Sequence, residues 1–319
     1  MRIEDGEPAK PEQTCRLVAP SDFASAQNEL RLFARRHGLE RPTTAAFSEQ
    51  LERALSQIRR LPQTETLLTA ARIGDGFSLE WTTSIDLVAA SNLVPNFPRT
   101  SPLPKTGPVR LTSRRFSNAP LLQCVQLERS HPRETVCGDQ TMVSFDDRTL
   151  RIAVADGLGH GVLAHEAAST AIRWLAASHK ETLEDAVLIA HDNTATTRGA
   201  TLGVAWLDLQ KRAVSATTVG NVRLGIYRQT GRLWSPCGTD AVLGHGREGS
   251  VGKITVRVET NPLPDGALLL LFSDGLASQL RLPHVRFHSI EELGLHLFAA
   301  YSIPTDDASL FLLANSRLS

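Results

Sequence analysis

The chain has 319 residues, with 34 basic and 34 acidic side chains and no net charge, so it lacks the cationic excess that a nucleic-acid or anionic-membrane partner requires. Apolar residues at 41% and charged residues at 21% suit a folded globular protein, and the length predicts two domains. The longest apolar run, near Ala267–Phe272, is too short to cross a bilayer, and the acidic start (Glu4, Asp5, Glu7) does not read as a secretory signal, so a cytoplasmic protein is expected.

In the N-terminal part, Ser21 is placed to cap a helix. Its apolar positions Phe23, Ala26, Leu30, Phe33 and Ala34 recur every three to four residues, and Gly38 ends it. A second helix runs from about Thr44 to Arg60, with Phe47, Leu51, Ala54, Leu55 and Ile58 on one face, and Pro62 stops it. Leu67–Ile73 and Phe77–Thr83 flank Gly74-Asp75-Gly76 and predict a β-hairpin. The stretch Pro95–Pro108 carries five prolines and reads as a semi-rigid linker. The expected organisation is therefore a small α/β domain over 1–94, a linker over 95–108 and a larger domain over 109–319.

The larger domain is strand-rich. Met142–Phe145 and Leu150–Ala155 form a hairpin around Asp146-Asp147-Arg148. Helices follow from about Val162 to Ser178 and Leu183 to Thr196. Strands are expected near Ala200–Leu207, Ala213–Val219, Val222–Arg228, Ile254–Val258 and Ala267–Phe272, then a helix near Ile290–Tyr301 and a last strand, Ser309–Ala314. Strand hairpins with inserted helix pairs predict an α+β sandwich. Cys15, Cys124, Cys137 and Cys237 form no C-x-x-C pair, so a zinc site has no local support and small core or surface residues are expected.

Chemistry is suggested by where aspartates sit relative to strand ends. Asp156 ends the apolar run Leu150–Ala155 and precedes Gly157-Leu158-Gly159-His160-Gly161; Asp274 follows Leu268–Phe272 and precedes Gly275. Asp139 follows Gly138, and Asp306-Asp307 precede the last strand. Singly, each Asp-Gly or Asp-Asp reads as a turn, as Asp75, Asp146, Asp147 and Asp265 do. Brought to one edge, such hard oxygen donors would select Mg²⁺ or Mn²⁺, because clustered carboxylates need a counter-charge at neutral pH.

The run Ala155-Asp156-Gly157-Leu158-Gly159-His160-Gly161 resembles the A-D-G-x-G-H-G signature of SpoIIE-type, PP2C-like (PPM) protein phosphatases. Gly138-Asp139, Val219-Gly220-Asn221, Phe272-Ser273-Asp274-Gly275 and Asp306-Asp307-Ala308-Ser309 flank it in the family's order. Arg198-Gly199-Ala200-Thr201 and Gly220-Asn221-Val222-Arg223 are similar to the RsbX branch, and the likeness covers about Leu121–Leu313. The resemblance implies a PP2C-like β-sandwich flanked by helices. It also implies hydrolysis of phosphoserine or phosphothreonine by metal-activated water, with two Mn²⁺ or Mg²⁺ ions and no phosphoenzyme.

It further implies that Asp156 bridges both ions and that the Gly157 carbonyl serves one. Asp139 would stand on one side, with Asp274 and Asp307 (rather than Asp306) on the other. His160 is a candidate proton donor and Arg133 a candidate phosphate binder, each against a bland alternative as a loop or surface residue. The implied partner is a phosphorylated regulatory protein of the STAS-domain antagonist type in bacterial partner switching. No nucleic acid or membrane is implied, and a homodimer stays open. A non-catalytic binding module and a bifunctional kinase–phosphatase are the alternatives. The N-terminal helix, helix and hairpin resemble RsbT-like members of the GHKL ATPase group. However, Arg53 stands where those proteins carry a magnesium-binding asparagine, no D-x-G-x-G run follows, and an unrelated regulatory domain is the equal alternative.

Overall fold

The structure, a computed structural model, describes residues 12–18, 22–37, 41–60, 65–73, 76–87, 107–116, 119, 122–146, 148–178, 180–245, 252–285 and 287–315. In chain order its elements begin with β1 (Glu12–Leu17), α1 (Asp22–Arg36), α2 (Arg41–Arg60), β2 (Thr66–Ile73) and β3 (Gly76–Ile85). There follow β4 (Val109–Phe116), β5 (Gln123–Arg129), β6 (Asp139–Asp146), β7 (Thr149–Gly157), α3 (Val162–Ala177) and α4 (Leu183–Thr194). The chain ends with β8 (Ala200–Asp208), β9 (Ala213–Val219), β10 (Arg223–Arg228), β11 (Gly231–Trp234), β12 (Glu259–Pro262), β13 (Leu268–Phe272), α5 (Ile290–Tyr301) and β14 (Ala308–Ala314). Two antiparallel sheets result: nine strands in the order β1-β2-β3-β4-β5-β14-β13-β10-β11, and five in the order β12-β9-β8-β7-β6.

The period-two rule explains why β13 and β14 sit at the centre. Leu268, Leu270 and Phe272 enter the core shared with α1, α2 and α5, while Leu269 and Leu271 enter the core between the sheets. Strand β14 does the same, with Leu310 and Leu312 on one face and Phe311 and Leu313 on the other. Each such leucine, fully buried, contributes roughly 1.5–3 kcal/mol. A third core packs α3 and α4 on the five-stranded sheet through Ala168, Ala171, Leu175, Val187, Leu202 and Val204. The layers therefore run helix, sheet, sheet, helix, which is the expected sandwich.

Four strands were not foreseen, one of them the short edge strand β11. Strand β1 is an edge strand that buries only Cys15 and Leu17. Strands β4 and β5 bury polar side chains (Ser113, Arg115, Gln123, Gln126, Arg129), which masks their alternation. The strand expected at Ile254–Val258 is absent; Ile254 and Val256 are buried against α3 and α4 without ladder bonds, and the strand instead spans Glu259–Pro262 at the sheet edge. Residues 95–106 of the proline-rich segment, and the caps Ser21 and Gly38, lie outside the described residues. On either side of that segment β3 and β4 pair in register from Ser78↔Phe116 to Ile85↔Val109, so the nine-stranded sheet runs across it.

A buried ion pair joins β4 to α5. The Arg115 guanidinium (Nη2) donates to Glu291 Oε1 at 3.0 Å and the Ser113 hydroxyl donates to the same oxygen at 2.7 Å, both residues being essentially inaccessible. Truncating one partner strands the other's charge. Glu291→Ala is therefore expected to cost about 3–5 kcal/mol in urea unfolding, and adding Arg115→Met should restore part of it. Strict additivity of the two losses would show that the pair is not coupled.

Candidate metal centre

Strands β6 and β7 pair so that Asp139 lies directly opposite Asp156, at the same end of the sandwich that receives the ends of β13 and the start of β14. Asp139 is buried; the Ser273 hydroxyl, from the residue after β13, donates to its Oδ2 at 2.6 Å. The Ser309 backbone N–H donates to Ser273 Oγ at 3.0 Å, which fixes that hydroxyl as the donor. The Asn221 side-chain amide donates to Asp274 Oδ2 at 2.7 Å, and Thr201 donates to Asn221 Oδ1 at 2.7 Å. Asp274 in turn faces Asp156, and its charge helps raise the Asp156 carboxyl.

The structure divides the adjacent pair before β14. Asp307 is buried beside Asp139 and accepts the His131 backbone N–H at Oδ1 (2.8 Å), while its Oδ2 has no partner. Asp306 is half-buried and stands by Asp274, whose charge, after burial itself, raises its carboxyl. Arg129 anchors this loop: its guanidinium donates to Ser302 Oγ (3.0 Å) and the Ile303 carbonyl (2.6 Å) and lies over the Phe298 ring. The Gly157 carbonyl joins the same end. A Cβ on Gly157 would fall 1.9 Å from the Ala164 carbonyl oxygen, so only glycine lets α3 close on the end of β7.

Five carboxylates, Asp139, Asp156, Asp274, Asp306 and Asp307, thus meet at one sheet end, and among the described residues none is ion-paired to a lysine or arginine. Burial, then repulsion from Asp307 and Asp274, pushes Asp139 up to about 7 against the hydrogen bond from Ser273. Burial and the charges of Asp139 and Asp274 raise Asp156 more strongly. An all-oxygen donor set with excess negative charge and an orphaned buried carboxylate oxygen fits hard divalent cations.

Both carboxyls are raised above their unfolded values, so the fold binds protons that the unfolded chain releases. In metal-free buffer, stability is therefore present at low pH and is lost as pH rises from about 4, through about 7 for Asp139 and on to about 10 for Asp156. Thermal melts in a chelator should show Tm falling over that window, with Mg²⁺ or Mn²⁺ restoring it. A Tm that rises with pH in chelator would contradict the crowding.

His160 and Arg133 lie beside the cage, not within it. His160 is half-exposed after β7, with Nδ1 2.7 Å from Glu134 Oε1, and its ring stacks on His131. Arg133 is exposed, and its backbone N–H donates to His131 Nδ1. No pattern in the sequence marked His131 or Glu134 as neighbours of the site, whereas Ser273 lies within a quoted motif. Arg198, quoted only as part of a motif, brings its guanidinium over Gly159. The cysteines are free, Cys137 donates to the Arg129 carbonyl, and burial pushes Cys124 up to about 12, which suits packing. Arg53 pairs with Glu49 one turn earlier on α2. No helix among the described residues is long and apolar enough to cross a membrane.

Two antiparallel sheets packed face to face, helices outside, and a carboxylate cage at the strand ends define a PP2C-like phosphatase, an enzyme class. The chain belongs to the family of Stage II sporulation protein E (SpoIIE), whose family model matches residues 146–312. It is 27% identical over 197 residues to "Phosphoserine phosphatase RsbX" of Bacillus subtilis (strain 168), spanning 60% of this chain and 94% of that protein. A solved chain from "The bacterial stressosome: a modular system that has been adapted to control secondary messenger signaling" superposes with a TM-score of 0.54 at 26% identity, covering 60% of this chain and 98% of that one. RsbX in complex with magnesium gives the same TM-score at 24% identity, covering 62% and 96%, a likeness of fold.

Proposed function

We propose that the chain is a divalent-cation-dependent phosphatase that removes phosphate from serine or threonine of a regulatory protein. The observation that carries the reading is the convergence of five carboxylates with no basic residue paired to them among the described residues. Asp139, Asp156, Asp274, the Gly157 carbonyl and the Asp306-Asp307 pair would hold two Mg²⁺ or Mn²⁺ ions, with Asp307 on the Asp139 side and Asp306 on the Asp274 side. Such ions, when bound, offset charge on the phosphoryl oxygens and make water nucleophilic at neutral pH.

The chain's own groups do the positioning. Ser273 orients Asp139, Asn221 orients Asp274, and Arg129 holds the loop that presents Asp306 and Asp307. Arg133 is the proposed binder of the substrate phosphate and His160 the proposed proton donor. The likeness to a phosphoserine phosphatase and to a stressosome chain supports a phosphorylated regulatory protein as substrate, and we take it to be of the STAS-domain antagonist type in bacterial partner switching. Residues 1–94 would recruit or sense that partner.

The test is phosphate release from a phosphoserine peptide with Mn²⁺ or Mg²⁺. Release that a chelator stops and either ion restores is expected. Release insensitive to chelation, or none with either ion, would refute the reading.

A further inference from the structure

The loop between β5 and β6 contributes a side chain that the phosphatase reading leaves unused. Glu134 Oε1 lies 2.7 Å from His160 Nδ1, and the two residues come from loops 26 positions apart in the chain. Two further features hold that contact. A Cβ on Gly161 would meet the Glu134 carboxylate at 2.6–2.9 Å, so the glycine after His160 leaves the space that the carboxylate fills. The His131 ring lies parallel to the His160 ring, centroids 4.2 Å apart and planes 7° apart. His131 is itself fixed, its backbone N–H donating to Asp307 and its Nδ1 accepting from the Arg133 N–H. The His160 ring is thus gripped at one nitrogen and on one face, and its grip is tied to the carboxylate cage.

We propose that Glu134 is a positioning residue that presents His160 Nε2 as the proton donor to the departing seryl oxygen. The inference rests on the phosphatase reading above. A carboxylate accepting Nδ1–H sets the tautomer, leaves Nε2 to carry the exchangeable proton, and offers a counter-charge to the imidazolium. In the step, a water oxygen forms the new P–O bond while the bond from phosphorus to the seryl oxygen breaks. The electron pair of that bond stays on the seryl oxygen, which takes the proton from Nε2 and leaves as serine. The proton lost by the water goes to solvent, and His160 is reprotonated from solvent. Glu134 neither gains nor loses a proton, and His131 only limits the ring's rotation.

The test compares two substrates, because an alkoxide leaving group needs a proton and p-nitrophenolate leaves as a stable anion. Wild type, Glu134→Gln, Glu134→Asp, His160→Gln and the Glu134→Gln/His160→Gln double variant are assayed on a phosphoserine peptide and on p-nitrophenyl phosphate with saturating Mn²⁺. Glu134→Gln should lower the ratio of kcat on the peptide to kcat on the nitrophenyl ester by roughly tenfold or more, a share of the ~10²–10⁴-fold that proton transfer supplies. The peptide KM should stay within about twofold, since positioning acts on the reacting proton rather than on binding. Glu134→Asp should recover part of the ratio, and the double variant should fall no lower than His160→Gln alone. Equal losses on both substrates, an unchanged ratio, or additive losses in the double variant would overturn the proposal. A wild type inert on both substrates would instead bring down the phosphatase reading itself, an outcome distinct from any pattern among active variants.

Discussion

Asp156→Asn is expected to abolish phosphate release and, at the same time, to make the metal-free protein more resistant to heat. Asp156 ends β7 directly across from Asp139, and burial together with the charges of Asp139, Asp274 and Asp306 makes its ionised form costly. Asparagine keeps the shape and removes the ionisation. In a chelator at pH 8 the wild type must hold either bound protons or repelling charges, whereas the variant holds neither, so its Tm should exceed that of wild type. The same change takes an anionic ligand from the centre of the cage. With several kcal/mol of charge stabilisation at stake and about 1.36 kcal/mol per decade of rate, turnover should fall by roughly three decades or more. The rise in Tm that Mg²⁺ or Mn²⁺ gives the wild type should shrink or vanish. Retained turnover with an undiminished metal-induced rise would remove Asp156 from the centre, and a lowered metal-free Tm would show that its charge is compensated in the fold.

Gly275→Ala should damage fold and site together. Gly275 follows Asp274, and a Cβ placed on it would lie 1.8 Å from the Asp307 carbonyl oxygen and 2.8 Å from Ala308 Cα. Both obstacles are backbone at the entry to β14, so no side-chain rotation relieves the clash. The start of β14 has to move, which stretches the Ser273 N–H to Ser309 carbonyl bond (3.1 Å) and the Ile303 N–H to Gly275 carbonyl bond (2.7 Å). We expect a loss of about 3 kcal/mol or more in denaturant unfolding, the upper end for overpacking by one methyl. Metal affinity, read by titration at a temperature where the variant is still folded, should weaken as Asp306 and Asp307 shift. A stability change inside about 0.5 kcal/mol, the range of an ordinary surface substitution, would mean the two strand ends are not in this contact.

Much of this was readable in the sequence, for definite reasons. Asp156 and Asp274 stand out because each comes at the end of a mostly apolar strand and is followed by glycine. Helix α5 came out at its observed bounds, and in the fold Ser289 caps it, accepting the Glu292 N–H. The resemblance pointed to Asp307 rather than Asp306, but not to the way the fold parts the two. They are neighbours in the chain, and what separates them is the His131 N–H, which reaches Asp307 from 176 residues away. Strands β4 and β5 were missed because their buried arginines and glutamines look like surface residues until Glu291, Ser302 and Thr141 are seen to satisfy them. Glu134 carried no local signal, since its partner is fixed only when two separate loops fold against each other.

The way β3 lies along β4 has a practical consequence for anyone dissecting this protein. A cut in the proline-rich segment would look harmless from the sequence, yet it would strip β4 of its neighbour and leave its outer row of N–H and C=O groups bare. It would also remove α1 and α2, whose Leu30, Phe47 and Leu51 share a core with Val109 and Leu111 of β4. The isolated catalytic portion would then carry a sticky margin suited to capturing a stray strand. Fragments for crystallisation or assay are better started before Glu12, with β1 to β3 kept in place.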